Sequence, residues 1–349
     1  MHKHATILPF FATNLVFATG FAVLTSFAVL TGVSAPAWAE KPNLTVYTYS
    51  SFSGEYGPGG KLKAEFEKTC DCTVSYVGLD DTGALLARLK LEGDSTKADV
   101  VLGLDSSQIT EATAFMQAHS QTIDGLSLPL PWADTHFLPF DWGHLALIYD
   151  ADKLKNPPTS LKQLVETKDG PKILIEDPRT SAPGFGFLLW MKKVFGDTSD
   201  AAWQSLAPRI ITYPKGWSEA YELFLKGEAD MVVSYTTSPA YHIAVENKTN
   251  YKAAVFTDGP YLQIEVMGVT KASTHAKLGQ AFVAFMLSDA AQGMIPEGNW
   301  MLPAKTAKAG LPASFKALSL PATALSFTPD EVDANRRVWI DQWLAASTK

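Results

Sequence analysis

The sequence predicts an α/β protein of two lobes, and three observations carry that expectation. Apolar strand-like runs alternate with segments of helical spacing along most of the chain. The alternation breaks at Leu128-Pro129-Leu130-Pro131 and then resumes, which marks two α/β units. Two apolar runs, Phe137 to Tyr149 and Tyr261 to Val269, are long enough to pass between the units as hinge crossovers. Near-continuous apolar strands indicate mostly parallel sheets covered by helices on both faces.

In the first unit, Leu44 to Tyr49 reads as a strand, Gly54 to Gly60 as a loop, Lys61 to Lys68 as a helix and Cys72 to Leu79 as a strand. Leu85, Leu86 and Leu89 give helical spacing over Gly83 to Leu91. Ala98 to Leu104 is a continuous apolar strand, and Ser106 to His119 reads as another helix. After the break, Ser160 with Gln163 three positions on spells a capping box. Lys172 to Ile175 and Asp230 to Tyr235 read as strands; Pro183 to Phe195 and Trp217 to Lys226 read as helices. Ala253 to Phe256 leads to the second crossover, followed by a helix over His275 to Leu287, a loop over Pro296 to Pro303 and a C-terminal helix. That last helix opens on Thr328-Pro329-x-Glu331, a capping box with proline in the first turn.

The N-terminus has a basic start, Met1-His2-Lys3-His4, an uncharged stretch from Ala5 to Ser34, and Ala37-Trp38-Ala39 in the A-x-A form of a cleavage signal. A retained anchor is the competing reading, since about 20 apolar residues span a bilayer. The change at Glu40 to ordinary soluble composition favours a signal peptide over 1–39, cleaved near Ala39, and a periplasmic destination. About 310 residues then remain, enough for about two domains.

The chain has 29 basic and 36 acidic residues, a net charge of −7, and the leader takes away only Lys3 among them. That balance argues against nucleic acid as a partner and weakly favours a cationic ligand. Cys70 and Cys72 are the only cysteines; an oxidising compartment permits a disulfide between them, as a small structural clip. No metal site is expected, because no further Cys or nearby His completes a ligand set, and His119, His136, His144, His242 and His275 are scattered.

Ligands of open α/β sheets sit beyond the carboxyl ends of strands. That rule selects Tyr49 and the following Tyr56, then Asp81 and Thr82, then Ser181 and Ala182 at a helix start, then Tyr235, Thr236, Thr237, Ser238 and Tyr241. Trp217 and Trp300 adjoin the turn residues Gly216 and Asn299. Aromatic faces attract a delocalised cation, by about 0.5–2 kcal/mol each. Hydroxyls at helix starts suit phosphate, and a carboxylate such as Asp81 accepts from an amino-substituted heterocycle. A cationic ring, an aminopyrimidine and optional phosphates would use all three.

The same segments resemble the periplasmic thiamine-binding proteins of bacterial thiamine ABC importers. The likeness rests on Leu44-Thr-Val-Tyr-Thr-Tyr49, Lys97-Ala-Asp-Val-Val-Leu-Gly-Leu-Asp105, Asp177-Pro-Arg-Thr-Ser181, Lys215-Gly-Trp-Ser-Glu-Ala-Tyr221, Ser234-Tyr-Thr-Thr-Ser-Pro-Ala-Tyr-His242 and Gly298-Asn-Trp300. It implies the type 2 periplasmic-binding-protein fold, with each lobe a mixed sheet flanked by helices, residues 40–142 plus 266–349 in lobe 1 and residues 143–265 in lobe 2. It implies a monomer without catalytic residues or cofactor, which carries thiamine, thiamine monophosphate or thiamine diphosphate to a membrane permease. Tyr49 and Tyr241 would sandwich the pyrimidine, with Asp81 and Thr82 at its edge. Ser181, Ala182, Trp217 and Tyr235 to Ser238 would surround the thiazolium and phosphate end, and Trp300 would close the pocket. The Cys70-x-Cys72 pair belongs to the same pattern. Ser50, Tyr56, Asp80 and Thr82 depart from it, standing where Asp, Trp, Glu and Gly are familiar.

Three other readings compete. Thiaminase I resembles this architecture and uses a cysteine nucleophile, but Cys70 and Cys72 lie away from the cleft-facing end of their strand. Ferric iron would use tyrosinates such as Tyr235 and Tyr241, and a polyamine would use the aromatics and carboxylates.

Overall fold

The computed structural model describes residues 40–347; the signal peptide expected over 1–39 lies outside the described residues. The described chain builds β1 (Asn43–Tyr49), β2 (Thr73–Leu79), β3 (Val100–Asp105), β4 (Leu138–Asp150), β5 (Ile173–Leu174), β6 (Met231–Tyr235), β7 (Tyr251–Ala254), β8 (Leu262–Val269) and β9 (Leu302–Pro303). One part of the sheet runs β2-β1-β3-β8-β4 and the other β4-β6-β5, with β7 and β9 also pairing β4. Strand β4 joins the parts: Leu138 to His144 pair with β8, and Leu145 to Tyr149 pair with β6. Strand β8 pairs with β3 and β4 along its length, inside the first part of the sheet.

The sheet is mixed rather than mostly parallel. β1 runs parallel to β2 and β3, and β5 to β6. The remaining pairings are antiparallel. The reason is the path of the chain: it leaves the first part along β4 and returns along β8, so these neighbours must run in opposite directions.

Side-chain alternation divides the core. Leu44, Val46, Val100 and Leu102 enter one cluster, while Tyr47 and Val101 enter another on the opposite face. The irregularity between Leu102 and Leu104 turns Leu104 to that second face as well. In the second part, Leu147, Ile173 and Val233 face one way, and Ile148, Leu174 and Val232 the other. Both faces are covered, so β3 and β8 are buried at every residue.

Local signals fare unevenly. The C-terminal helix Pro329–Ser347 has its full capping box: Glu331 N donates to Thr328 Oγ1 (3.2 Å) and Thr328 N to Glu331 Oε2 (2.7 Å). At Leu161–Glu166 only half forms, since Gln163 N donates to Ser160 Oγ but Gln163 Oε1 accepts from Thr159 N. The helix expected over Ser106 to His119 is three short turns ending at Phe115. Met116 bridges Thr270 and Gln117 N donates to Val269 O, which draws the chain to the end of β8. The expected loop at Pro296 begins inside a helix, Asp289–Gly298. Cys70 and Cys72 form a disulfide beside Asp71, which has left-handed backbone.

The C-terminal helix, expected with the first lobe, buries Val332, Trp343 and Ala346 among residues of the second part such as Trp203 and Leu206. Trp343 meets Trp203 and Tyr213 edge-on, at 6.5 and 5.1 Å between ring centroids. Its N-terminal half reaches the other way, with Asp330 accepting from Thr110 and Arg336 3.8 Å from Glu111. The helix thus adds a further link between the parts. Trp343→Ala is expected to lower folding stability by about 3–5 kcal/mol, measured by urea unfolding; a loss under about 1 kcal/mol would show that this helix is peripheral to the core.

Candidate ligand-binding site

A cavity of about 600 Å³ opens where the ends of β1 and β6 meet the starts of several helices. It brings together Tyr49, Tyr56, Asp81, Thr82, Ala182, Trp217, Tyr235, Ser238, Tyr241 and Trp300. Ser181, Thr236 and Thr237, expected at its phosphate end, are buried behind its wall and do not line it. Thr236 N donates to His144 O (2.9 Å), carrying the β6–β4 pairing one residue beyond the strand. A larger cavity of about 740 Å³ shares Ala182 and lies along Gln263, Trp132 and Phe327. The smaller one carries the denser aromatic lining, to which Tyr221 adds a further ring.

Tyr49 ends β1. Its phenol donates to Glu265 Oε2 (2.6 Å) and accepts from Asn299 Nδ2 (2.8 Å), which fixes the ring plane. Burial, then the charges of Glu265 and Asp141, hold this phenol well above its ordinary pKa, so it stays protonated. Gly103, at φ +100°, passes so close that a Cβ there would run into the Tyr49 ring. Across the cavity, Tyr241 on the helix Pro239–Glu246 meets Trp300 edge-on at 5.2 Å. Trp300 is held at φ +57°, strained backbone for a bulky residue. Trp217 stacks on Tyr221 at 4.9 Å and donates its indole N–H to Ser234 Oγ (2.7 Å). Tyr56 is 86% exposed at the mouth.

Asp81 does something its sequence position does not suggest. Its carboxylate accepts from Thr82 N (2.7 Å), Ala182 N (3.3 Å) and Trp217 N (3.1 Å), the first residues of three helices. Burial raises its pKa, and these N–H donors oppose the rise. Gly83 N donates to Thr180 O in the same place (2.9 Å), and a Cβ on Gly83 would lie 2.6 Å from that oxygen.

Further acids were missed as site residues. Glu265 lines the cavity and is in register with Asp141 on β4 and Asp105 on β3. Burial pushes the Asp141 carboxyl up to about 8, and burial followed by the Asp141 charge raises Glu265 well above its usual range. Asn299 Nδ2 donates to Asp141 Oδ2 (2.6 Å). Glu176, also raised by burial, has no hydrogen-bond partner for either carboxylate oxygen among the described residues. The available signal was charge within apolar runs, Glu265 in Tyr261 to Val269 and Asp141 in Phe137 to Tyr149. No Lys, Arg or His is among the described residues that line the cavity, so its chemistry suits a flat cation.

The shift at Asp141 has a definite sign for stability. Its carboxyl titrates at the ordinary 3.8 when unfolded and at about 8 when folded, so the folded state holds the proton more tightly. That contribution is fully present below the unfolded value and is lost as pH rises toward 8. Asp141→Asn, neutral throughout, is expected to gain in thermal midpoint over the unsubstituted protein as pH is raised from about 5 to 8. A difference that stays constant across that range would contradict the assignment.

The family model for bacterial extracellular solute-binding proteins matches residues 43–293. The thiamine-binding periplasmic protein of Escherichia coli (strain K12) is 51% identical over 90% of this chain and 96% of its own length. A solved periplasmic thiamin binding protein superposes with a TM-score of 0.86 at 51% identity, covering 88% of this chain and 97% of that one. The ferric binding protein from Campylobacter jejuni, at 17% identity and a TM-score of 0.72 over 87% of this chain and 99% of that one, shares the fold alone. The architecture is therefore the two-lobed type 2 periplasmic-binding fold, and the chain belongs to the bacterial extracellular solute-binding proteins, within them to the thiamine-binding periplasmic group.

Proposed function

We propose that this protein is the solute-capturing subunit of an ABC importer, that it acts in the periplasm after removal of residues 1–39, and that its ligand is thiamine. The observation that carries this reading is the lining of the cavity: aromatic rings from both parts of the fold, the carboxylates Asp81 and Glu265, and no basic side chain among its described lining residues. Thiamine combines a permanently cationic thiazolium with a flat aminopyrimidine. Tyr49 and Tyr241 would hold the pyrimidine between them, with Thr82 at its edge, while Trp217, Tyr235 and Ser238 face the thiazolium and Trp300 and Tyr56 cover the opening. Thiamine monophosphate and diphosphate belong to the same reading. Their phosphate would lie at the end of the cavity lined by Trp217, Tyr235 and Ser238, toward Ser181, Thr236 and Thr237.

Residues 40–142 and 266–349 would move as one lobe and 143–265 as the other, except that the C-terminal helix spans both. Ligand contacts from the two sides would shift the hinge toward closure, and the closed monomer would dock on the permease. No chemical step is needed. The two cysteines are bridged to each other, which removes the thiolate a thiaminase-like reaction would use.

Thiamine is expected to quench the intrinsic Trp fluorescence saturably and to give binding heat in calorimetry. Tyr49→Ala and Tyr241→Ala should each weaken binding by about 0.5–2 kcal/mol, from a few-fold to about thirtyfold. Unchanged affinity in both variants refutes the sandwich, and absence of binding in the unsubstituted protein refutes the ligand.

A further inference from the structure

Ligand capture as described uses one carboxylate of a row of three. Asp141 and Glu265 face each other in register across β4 and β8, and Asp105 faces Glu265 from β3. Like charges directly opposite on neighbouring strands repel, and burial removes the water that would screen them.

The groups packed around the pair do not supply a counter-charge. Tyr49 donates to Glu265, and Asn299 donates to Asp141. Gln263 Nε2 lies 3.4 Å from Glu265 Oε1. Asp81, Asp105 and Tyr235 add acidic or phenolic groups. Arg336, on the C-terminal helix, is directed to Asp105 and Glu111. Asp141 Oδ1 is buried with no N–H or O–H donor among the described residues, and the Glu265 carboxyl, in register on β8, stands within hydrogen-bonding reach of the Asp141 carboxyl. A proton held between the two carboxyl groups supplies the donor that this atom lacks.

We propose that a carboxyl proton bridges Asp141 and Glu265 in the protein without ligand, and that the pair releases one proton to solvent when a cationic ligand enters the cavity, so that cation capture and proton release are one step. The inference rests on the thiamine reading above. The thiazolium charge is permanent, so once it stands beside Glu265 it takes over the neutralising role of the proton. One O–H bond breaks, the proton passes to the buffer, and no other bond changes. The pair thereby favours a cation over a neutral ring of equal shape, and does so more strongly as pH rises.

The test is calorimetry of the exported chain with thiamine at pH 7 in buffers of different ionisation enthalpy. Unphosphorylated thiamine is used because a phosphate ester titrates near pH ~6 itself. The heat should vary linearly with buffer ionisation enthalpy, with a slope of about one proton released per ligand, and affinity should fall about tenfold per pH unit between about pH 8 and pH 6. The double variant Glu265→Gln with Asp141→Asn should flatten both dependences. Buffer-independent heat with pH-independent affinity in the unsubstituted protein overturns the inference and leaves the ligand standing. A full proton still released by the double variant also overturns it, since the proton then comes from elsewhere, such as Asp81. No binding heat and no fluorescence change remove the ligand assignment, and this inference with it. Should a variant fail to fold, the buffer series on the unsubstituted protein decides alone.

Discussion

The carboxylate of Asp81 holds three helix starts at one point. The helix Thr82–Glu92 packs on the first part of the sheet through Leu85, Leu86 and Leu89. The helices Ala182–Phe195 and Trp217–Leu225 belong to the second part. Each helix start presents N–H groups without intrahelical partners and a partial positive charge. Three such ends converging in a buried place would be unfavourable without an anion. Asp81 is that anion, so the same side chain caps its own helix and ties the two parts of the molecule across the cleft. The exposed pair Lys215–Asp80, at 3.1 Å, lies nearby but contributes little by comparison, because water screens it.

Around this point the molecule places acids where a globular core normally excludes them. Asp81, Asp105, Asp141, Glu176 and Glu265 are all buried, and each carboxyl is raised above its usual range chiefly by burial. Asp81 meets the helix starts and Asp105 has Arg336 near it. Asp141, Glu176 and Glu265 have no basic group among the causes that set their pKa, and a buried ionisable group without a counter-charge is costly. Their clustering beside one aromatic cavity fits a site whose missing counter-charge arrives with the ligand.

Parts of this design were readable in the residues, and the reason differs by feature. Strands β3 and β8 could be located because full burial on both faces leaves a long apolar run. The capping box at Thr328 could be located because both its bonds are local. The end of the Ser106 helix could not, because the Met116–Thr270 bridge that stops it joins residues far apart in sequence. The strand-end rule and the family resemblance singled out Tyr49, Trp217, Tyr241 and Trp300, which the structure brings to the lining of one cavity. They did not fix where Ser181, Thr236 and Thr237 point, because spacing places a residue near a strand end without fixing its side-chain direction. Asp81 was read as a ligand contact, while its bonds to Ala182 and Trp217 depend on a tertiary approach that no local pattern encodes. Glu265 and Asp141 were visible as charges in apolar runs, but treating those runs as crossovers accounted for the strands and hid the charges.

The stacking face and the charge of this site are parts of one assembly. The Tyr49 ring is oriented by its phenol, which is held between Glu265 and Asn299, and Asn299 in turn holds Asp141. A change in the protonation of the acid pair is therefore felt at the hydrogen bond that sets the ring plane. On the facing side, the strained backbone at Trp300 and its edge contact with Tyr241 fix the second aromatic wall. Asn299 immediately precedes Trp300, so a single turn after the helix Asp289–Gly298 positions both the partner of the acids and the wall opposite them. Geometry set at that turn governs both how a flat ring is gripped and how its charge is met.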